Sequence, residues 1–337
     1  MTGRGLRGPV AAGLLGATAL AAGAYAVSRA VGARSAPPGK LVELPDGSRL
    51  HATWHAEGAG PVVVFENALL SAMPEWFWVT DHLGSSVPFL AYDRSGTGWS
   101  PRAPRRTPSA AGDHARRLRQ LLEAAELPPP YVLVGHSVGG LLIRGFAAEH
   151  PTEVAGLVFV DASHPDQFER SRVQRESLPV FRQNLLLGRV RAATGGMYRA
   201  LECSHITRLP ESVAETTRRR LARPGPWAGA AHELNRCLHG WNDEARGLTT
   251  VGTAPVAVVT AGRTVRGDAV HGRLQEELAG LSEVGRHEVV EKAGHEDLVM
   301  DRVHARVVAD AITWVRERAV GTPGGTAEEG NERCDRR

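Results

Sequence analysis

The feature that most constrains this chain is a six-residue turn, Gly135-His136-Ser137-Val138-Gly139-Gly140, between an apolar run at 131–134 and a helical pattern at 138–149. A strand that passes straight into a helix through such a turn needs small residues on both sides, because the helix packs closely on the strand. The turn exposes its serine hydroxyl, and the helix N-terminus favours negative charge that develops nearby. The pattern therefore predicts that Ser137 is a nucleophile.

Short apolar runs and helical patterns alternate on both sides of this turn. We predict buried strands at 62–65, 88–92, 131–134, 157–160, 255–260 and 287–290, preceded by a β-hairpin at 41–55. Helical patterns are clearest at 109–126, 138–149 and 302–318. This alternation predicts an α/β fold with a mostly parallel sheet flanked by helices.

One long interval, 163–253, contains no clear buried strand and is rich in Arg, Leu and Glu. We predict a helical insertion between two strands of the sheet, and its position favours a lid over an active site. The alternative is that the inserted segment has only a structural role. Cys203 and Cys237 both lie in the interval. A disulfide between them and two unrelated thiols are equally compatible with the sequence.

The two ends of the chain differ from its middle. Residues 9–27 carry no charge and are flanked by arginines, which is typical of an export signal or a membrane anchor. We therefore predict a signal or anchor segment with a linker at 1–39, and a membrane-anchored or exported protein. Residues 320–337 are poor in apolar side chains and predict a disordered tail. Between them we expect two core parts, 40–162 and 254–319, around the insertion.

Composition excludes some classes of protein. The chain has 337 residues, 42% of them hydrophobic, so disorder along its whole length is excluded. Its 40 Lys and Arg against 37 Asp and Glu give a net charge of only +3, which gives no sign of nucleic-acid binding. Three cysteines in the chain are too few for a Cys-based zinc site of the usual kind.

Three motifs together resemble the α/β-hydrolase family over roughly 40–319. They are the Gly-His-Ser-Val-Gly-Gly turn, the segment Asp93-Arg94-Ser95-Gly96-Thr97-Gly98-Trp99-Ser100, which is similar to the family's D-R-x-G-x-G-x-S loop, and the late Ala293-Gly294-His295. The resemblance implies a serine nucleophile, an acid and a histidine in that chain order. It also implies that His295 is the base that activates Ser137.

The acid has two candidates. The family's usual place, after the strand at 255–260, would put a carboxylate near Val265, and the first one in that loop is Asp268. Some family members place the acid at the end of the preceding strand, where this chain has Asp161. We favour Asp161, since it ends a strand on the same sheet edge as Ser137, and Asp268 stays the alternative. In either case the acid orients His295 and stabilises its imidazolium.

An oxyanion hole needs two backbone N–H groups. One is expected from Val138, the residue after the nucleophile. By resemblance, the second is the N–H of Leu69, in the loop after the strand at 62–65, although the glycines common in that loop are absent here.

The sequence thus predicts a serine hydrolase that cleaves an ester bond of a small, at least partly apolar substrate through an acyl-enzyme. No metal or organic cofactor is expected, and no nucleic-acid partner. Cleavage of a carbon–carbon or amide bond by the same triad remains open, as does a catalytically silent binding protein of the same fold. The oligomeric state cannot be read from the sequence.

Overall fold

Eight strands form one mixed sheet in the computed structural model, which describes residues 38–103 and 112–321. The strands are β1 (Lys40–Glu43), β2 (Arg49–His55), β3 (Val62–Glu66), β4 (Phe89–Asp93), β5 (Tyr131–His136), β6 (Val154–Val160), β7 (Val256–Ala261) and β8 (Gly285–Val290). Their order across the sheet is β1-β2-β4-β3-β5-β6-β7-β8. β1 and β2 run antiparallel to their neighbours, and the other neighbouring strands are parallel. The predicted α/β fold with a mostly parallel sheet is confirmed.

Helices connect the parallel strands and cover the sheet. In chain order they are α1 (Phe77–Leu83), α2 (Asp113–Ala124), α3 (Gly139–Glu149), α4 (Gln167–Arg170), α5 (Arg172–Ala193), α6 (Met197–Ala200), α7 (Glu211–Leu221), α8 (Pro224–Arg236), α9 (Asn242–Arg246), α10 (Gly262–Gly267), α11 (Ala269–Ala279), α12 (Asp297–Met300) and α13 (Arg302–Gly321). Short 3₁₀ turns lie at Met73–Trp76, Pro151–Glu153, Leu201–Cys203 and His205–Arg208, and a π turn at Cys237–Trp241 follows α8.

The central strands are buried on both faces, as expected of parallel strands between two helical layers. In β5, Val132 and Val134 belong to a core shared with α1 and α13, whereas Leu133 points to the opposite core, which includes residues of α2 and α3. This alternation fixes the register, because a one-residue slip would exchange the two faces. The carboxyl ends of the parallel strands consequently meet at one edge of the sheet.

The interval between β6 and β7 is occupied by helices α4 to α9. Helices α5 and α8 pack against each other where Gly188 meets Trp227, since a Cβ on Gly188 would come within 2.1 Å of the indole ring. Of the two alternatives left open for the cysteines of this insertion, the structure shows the two unrelated thiols. Cys203 is exposed, Cys237 is buried, and both are free thiols.

The predicted signal or anchor at 9–27 lies outside the described residues, as does most of the predicted tail. Among the helices that are described, none is long and apolar enough to cross a bilayer.

Candidate active site

The turn between β5 and α3 holds Ser137 in a left-handed conformation, with φ of 55°. The adjacent glycines are needed for close packing: a Cβ on Gly135 would lie 2.6 Å from the backbone of Gly139, and one on Gly139 would lie 2.4 Å from the carbonyl oxygen of Glu66. A non-glycine residue with positive φ is strained, and such strain is concentrated at functional sites. The serine side chain is part-exposed, and its hydroxyl has no hydrogen-bond partner among the described residues.

Asp161 and His295 are brought together at the carboxyl edge of the sheet. Asp161 follows β6, His295 lies in the loop after β8, and His295 Nδ1 is 2.6 Å from Asp161 Oδ2. The imidazole is 34% exposed, whereas the carboxylate is fully buried. A histidine whose Nδ1 is held by a carboxylate can present its Nε2 to a nucleophile.

Asp268, the alternative acid, does not contact His295. Its Oδ2 accepts a hydrogen bond from the hydroxyl of Ser171 (2.6 Å), and its Oδ1 accepts one from the N–H of Val270 (3.1 Å). It therefore caps α11 rather than orienting a base. The position near Val265, where the family's acid was expected, lies inside α10.

The two expected oxyanion donors border the same cavity as Ser137. Within the described residues, the N–H groups of Val138 and Leu69 donate to no other group. The preceding N–H, of Ala68, is already used, since it donates to Glu75 Oε1 at 2.9 Å. Two unpaired N–H groups beside the hydroxyl of Ser137 are suited to hold an oxyanion that develops there.

Asp161 and His295 each stabilise the charged form of the other. Burial alone would raise the pKa of Asp161, but hydrogen bonds from His271 and His295 hold it well below its usual range. Burial alone would lower the pKa of His295, but the hydrogen bond and charge of Asp161 raise it to about 9. Asp161 is thus an anion at neutral pH and His295 a strengthened base.

His295 is also held through its backbone. His136, inside the serine turn, donates from Nε2 to the carbonyl oxygen of His295 (3.2 Å), and the two rings pack with centroids 4.7 Å apart. His136 Nδ1 lies 3.3 Å from Glu75 Oε2. Glu75 therefore contacts both the loop that contains Leu69 and His136, the residue that holds the backbone of His295.

A cavity of about 490 Å³ opens over Ser137 and His295. Its walls are mostly apolar and come largely from the insertion, with Val173, Leu178 and Phe181 on α5 and Leu234 on α8. A pocket of this size and lining suits a small apolar ligand. No cluster of three or more His, Cys, Asp or Glu side chains suited to a metal occurs in 38–103 or 112–321.

The segment that resembles the D-R-x-G-x-G-x-S loop joins the insertion to the Leu69 loop. Arg94, almost fully buried, donates from Nε to Glu233 Oε1 on α8 (2.6 Å) and from a terminal nitrogen to Glu233 Oε2 (2.9 Å). It also donates to the carbonyl oxygens of Asn67 (2.7 Å) and Ala68 (3.2 Å).

Sequence reasoning missed three polar groups at this site. Glu75 lies in a 3₁₀ turn, and Gln174 and His271 lie on helices α5 and α11. None belongs to a local motif, and each reaches the site only through long-range packing. A helical pattern at 269–279 would have placed His271 beside the sheet edge, but it would not have shown that His271 contacts Asp161.

The comparisons with known proteins agree with this architecture. A family model described as alpha/beta hydrolase fold matches residues 61–299. A putative lipase of Acinetobacter baumannii has a similar structure, with a TM-score of 0.64 at 17% identity over 87% of this chain and 94% of that one. A meta-cleavage product hydrolase of Pseudomonas fluorescens gives 0.58 at 16% identity over 82% and 98%. At these identities the likeness shows the fold alone.

Curated relatives match only in part. A putative carbamate hydrolase of Variovorax paradoxus is 35% identical over 34% of this chain and 42% of its own length. An uncharacterised Bacillus subtilis protein is 27% identical over 36% and 47%. The matched stretches thus span less than half of either relative. With the family model extending over most of the folded region, the chain belongs to the α/β-hydrolase family.

Proposed function

We propose that the protein is a serine hydrolase that cleaves an ester bond through an acyl-enzyme. The observation that carries this proposal is the 2.6 Å contact between His295 Nδ1 and Asp161 Oδ2, at the sheet edge where the strained turn presents Ser137. The neutral histidine takes the proton of the serine hydroxyl as the oxygen attacks the substrate carbonyl.

The remaining steps follow from the same groups. The N–H groups of Val138 and Leu69 stabilise the tetrahedral oxyanion. His295 then gives its proton to the leaving alcohol, and the acyl group stays on Ser137. Water then enters, and its oxygen attacks the acyl carbon while His295 takes one of its protons. The bond to the serine oxygen breaks, the acid leaves, and His295 returns the proton to Ser137.

The apolar walls support a substrate with an apolar acyl or alcohol part, and they support the interpretation of 163–253 as a lid. Full-length protein is to be assayed with p-nitrophenyl esters of increasing acyl length and with a matched aryl carbamate. We expect ester turnover, and a rate that falls once the acyl chain exceeds what about 490 Å³ can hold. Turnover of the carbamate alone would replace the ester assignment, and turnover of neither would favour a silent binding protein.

Ser137→Ala should lower kcat by ~10⁴-fold or more, because it removes the oxygen that forms the acyl-enzyme. The matched control is Ser86→Ala, an exposed serine before β4 at the opposite edge of the sheet, which should keep full activity. A kcat of Ser137→Ala close to that of the wild type would show that the nucleophile is another residue.

We further propose that residues 9–27 direct the chain to a membrane or out of the cytoplasm, on the ground of their uncharged composition. Fractionation and N-terminal sequencing of the native protein test this. An intact N-terminus in the membrane fraction supports an anchor, a start near Val27 supports cleavage, and an intact protein in the cytosolic fraction contradicts both.

A further inference from the structure

The carboxylate of Asp161 is bound by a second histidine besides His295. His271 Nε2 lies 3.0 Å from Asp161 Oδ1, the oxygen that also accepts from the N–H of Ala261 (3.0 Å). The other oxygen, Oδ2, accepts from the hydroxyl of Thr264 (2.9 Å) and from His295. Each oxygen thus has two donors, which fix the plane of the carboxylate and leave it no room to turn.

His271 is buried on α11, with its side chain 5% exposed, and it lines the cavity. Its other ring nitrogen, Nδ1, lies 3.3 Å from the side-chain nitrogen of Gln174 on α5. The ionised carboxylate of Asp161 only accepts, so Nε2 of His271 carries the proton of that bond, and Nδ1 is left to accept from the amide nitrogen of Gln174. Gln174 therefore holds the ring of His271 in the tautomer that the carboxylate requires.

The helices that carry these two residues are joined at their first turns. Ser171 is the N-cap of α5 and Asp268 is the N-cap of α11, and the hydroxyl of Ser171 donates to Asp268 Oδ2 at 2.6 Å. Gln174 and His271 each lie three residues beyond their caps. This hydrogen bond therefore ties the start of α5 to the start of the helix that carries His271.

We propose that His271 is a positioning residue of the proposed triad: oriented by Gln174 of the insertion, it holds the carboxylate of Asp161 in place for His295. This inference rests on the proposed function, since it concerns the same acid and base. Gln174 thereby becomes the fifth side chain that the reaction needs, after Ser137, Asp161, His295 and His271. It lies outside the sequence motifs and lines the cavity.

The consequence for pH follows from the charge on Asp161. Without the donor at Oδ1, the carboxylate would be less stabilised and would hold the proton of His295 more tightly. The acid limb of the kcat/KM profile would then move to higher pH. Glu75 and Glu296 also face His295 and raise its pKa in the same direction as Asp161. The pKa of His287 on β8 is lowered mainly by burial. Substitution of His271 leaves the carboxylates of Glu75 and Glu296 unchanged.

The test compares His271→Leu with His271→Gln, whose amide nitrogen can stand near the position of Nε2. We expect His271→Leu to lose roughly 10- to 100-fold in kcat/KM, mainly in kcat, as for loss of one hydrogen bond to a charged group, and to shift the acid limb to higher pH. His271→Gln should keep most of the wild-type kcat/KM, with the acid limb of the pH profile at its wild-type position. Gln174→Leu should shift the limb in the same direction but lose less rate.

The matched control is His51→Leu, which removes another buried imidazole. His51 lies on β2, and its ring nitrogens have no hydrogen-bond partner in the part of the chain that the structure describes. It should change neither rate nor profile. A loss of rate in His271→Leu with an unshifted profile, and no rescue by Gln, would reduce His271 to a packing residue and overturn the proposal.

Two further readouts separate failure of folding and failure of the proposed function. In wild-type protein, ¹⁵N NMR of the imidazoles should find His271 protonated at Nε2, and protonation at Nδ1 alone would contradict the proposal without any variant. Wild-type protein without ester turnover would refute the proposed function, whereas active wild type with an equally active, unshifted His271→Leu would refute only the role of His271.

Discussion

Asp161 has the most demanding environment of the residues at the site. It has a positive φ of 39°, its N–H donates to the carbonyl oxygen of Val259 at 2.7 Å, and its carboxylate is fully buried. A strained backbone and a buried charge both cost free energy, so they persist only where the surroundings compensate for them. Four donors provide that compensation here.

Asp161→Asn should reduce kcat by ~10⁴-fold, because the amide either favours the wrong tautomer of His295 or fails to stabilise its imidazolium. Asp268→Asn is the matched control, since Asn is also a good N-cap and should preserve α11. Steady-state kinetics on aryl esters measure both. A crippled Asp268→Asn beside an active Asp161→Asn would reverse the assignment of the acid.

The raised pKa of His295 predicts an alkaline enzyme. Only neutral imidazole accepts the proton of Ser137, and the pKa of His295 is raised from 6.5 to about 9. The kcat/KM of wild-type protein should therefore still climb as the pH approaches 9, whereas an unperturbed histidine would be close to a plateau from about pH 7.5. A pH profile with a stable ester measures this, and a plateau from pH 7 upward would contradict the strong coupling to Asp161.

Single residues were the hardest part to predict from sequence. Ser137 and His295 each lie in a local motif with a strand and a helix on either side, so their positions follow from patterns of a few residues. The choice between Asp161 and Asp268 depends on contacts across more than 100 positions of the chain, and no local pattern reports those.

At the scale of elements, a buried ion pair helps to hold the insertion against the loop that follows β4. Arg94 and Glu233 are each about 5% exposed or less, and Arg94 also binds the backbone that precedes Leu69. The helix α8 therefore supports the geometry of the proposed oxyanion donor, although the two are distant in sequence.

Glu233→Ala should lower the free energy of unfolding by about 3 kcal/mol, the lower end for breaking a buried pair, because Glu66 still faces Arg94 at 3.3 Å. It should also lower kcat, since the Leu69 loop loses its support. The control is Glu277→Ala, whose partner Arg170 is exposed, and which should cost less than ~1 kcal/mol. Urea unfolding measures both, and equal losses would show that Glu233 has no special role.

Elements with strong periodicity were predictable and others were not. The strands β3 to β8 and the helices α3 and α13 begin or end within a few residues of the expected positions, since each has a continuous apolar run or face. Helix α1 was not predicted, because it is short and has a single buried side chain, Val79. Helix α11 was not predicted either, since its start at Asp268 was interpreted as a loop.

At the scale of the whole molecule, the parallel sheet brings the residues of the candidate site together. Groups from the ends of β3, β5, β6 and β8 meet at one edge because parallel strands bring their carboxyl ends together. That arrangement follows from the alternation of strands and helices in the sequence. The cavity above it does not, because its walls depend on how α5 and α8 pack.

Activity and stability should move in opposite directions with pH. The folded-state pKa of His295 is raised above its unfolded value of about 6.5. Its contribution to stability is therefore fully present below pH 6.5 and is lost as the pH rises through about 9. Urea unfolding from pH 6 to 10 should show a steeper fall for wild type than for His295→Phe, and identical slopes would contradict the raised pKa.

The most direct test of the account is the site at which an active-site-directed fluorophosphonate bonds to the protein. Full-length wild-type protein is to be labelled, digested and mapped by mass spectrometry, with Asp161→Asn beside it. The account predicts a single adduct on Ser137, formed far more slowly in Asp161→Asn. A folded wild-type protein that hydrolyses esters yet carries the adduct on another residue, or carries none, would contradict it.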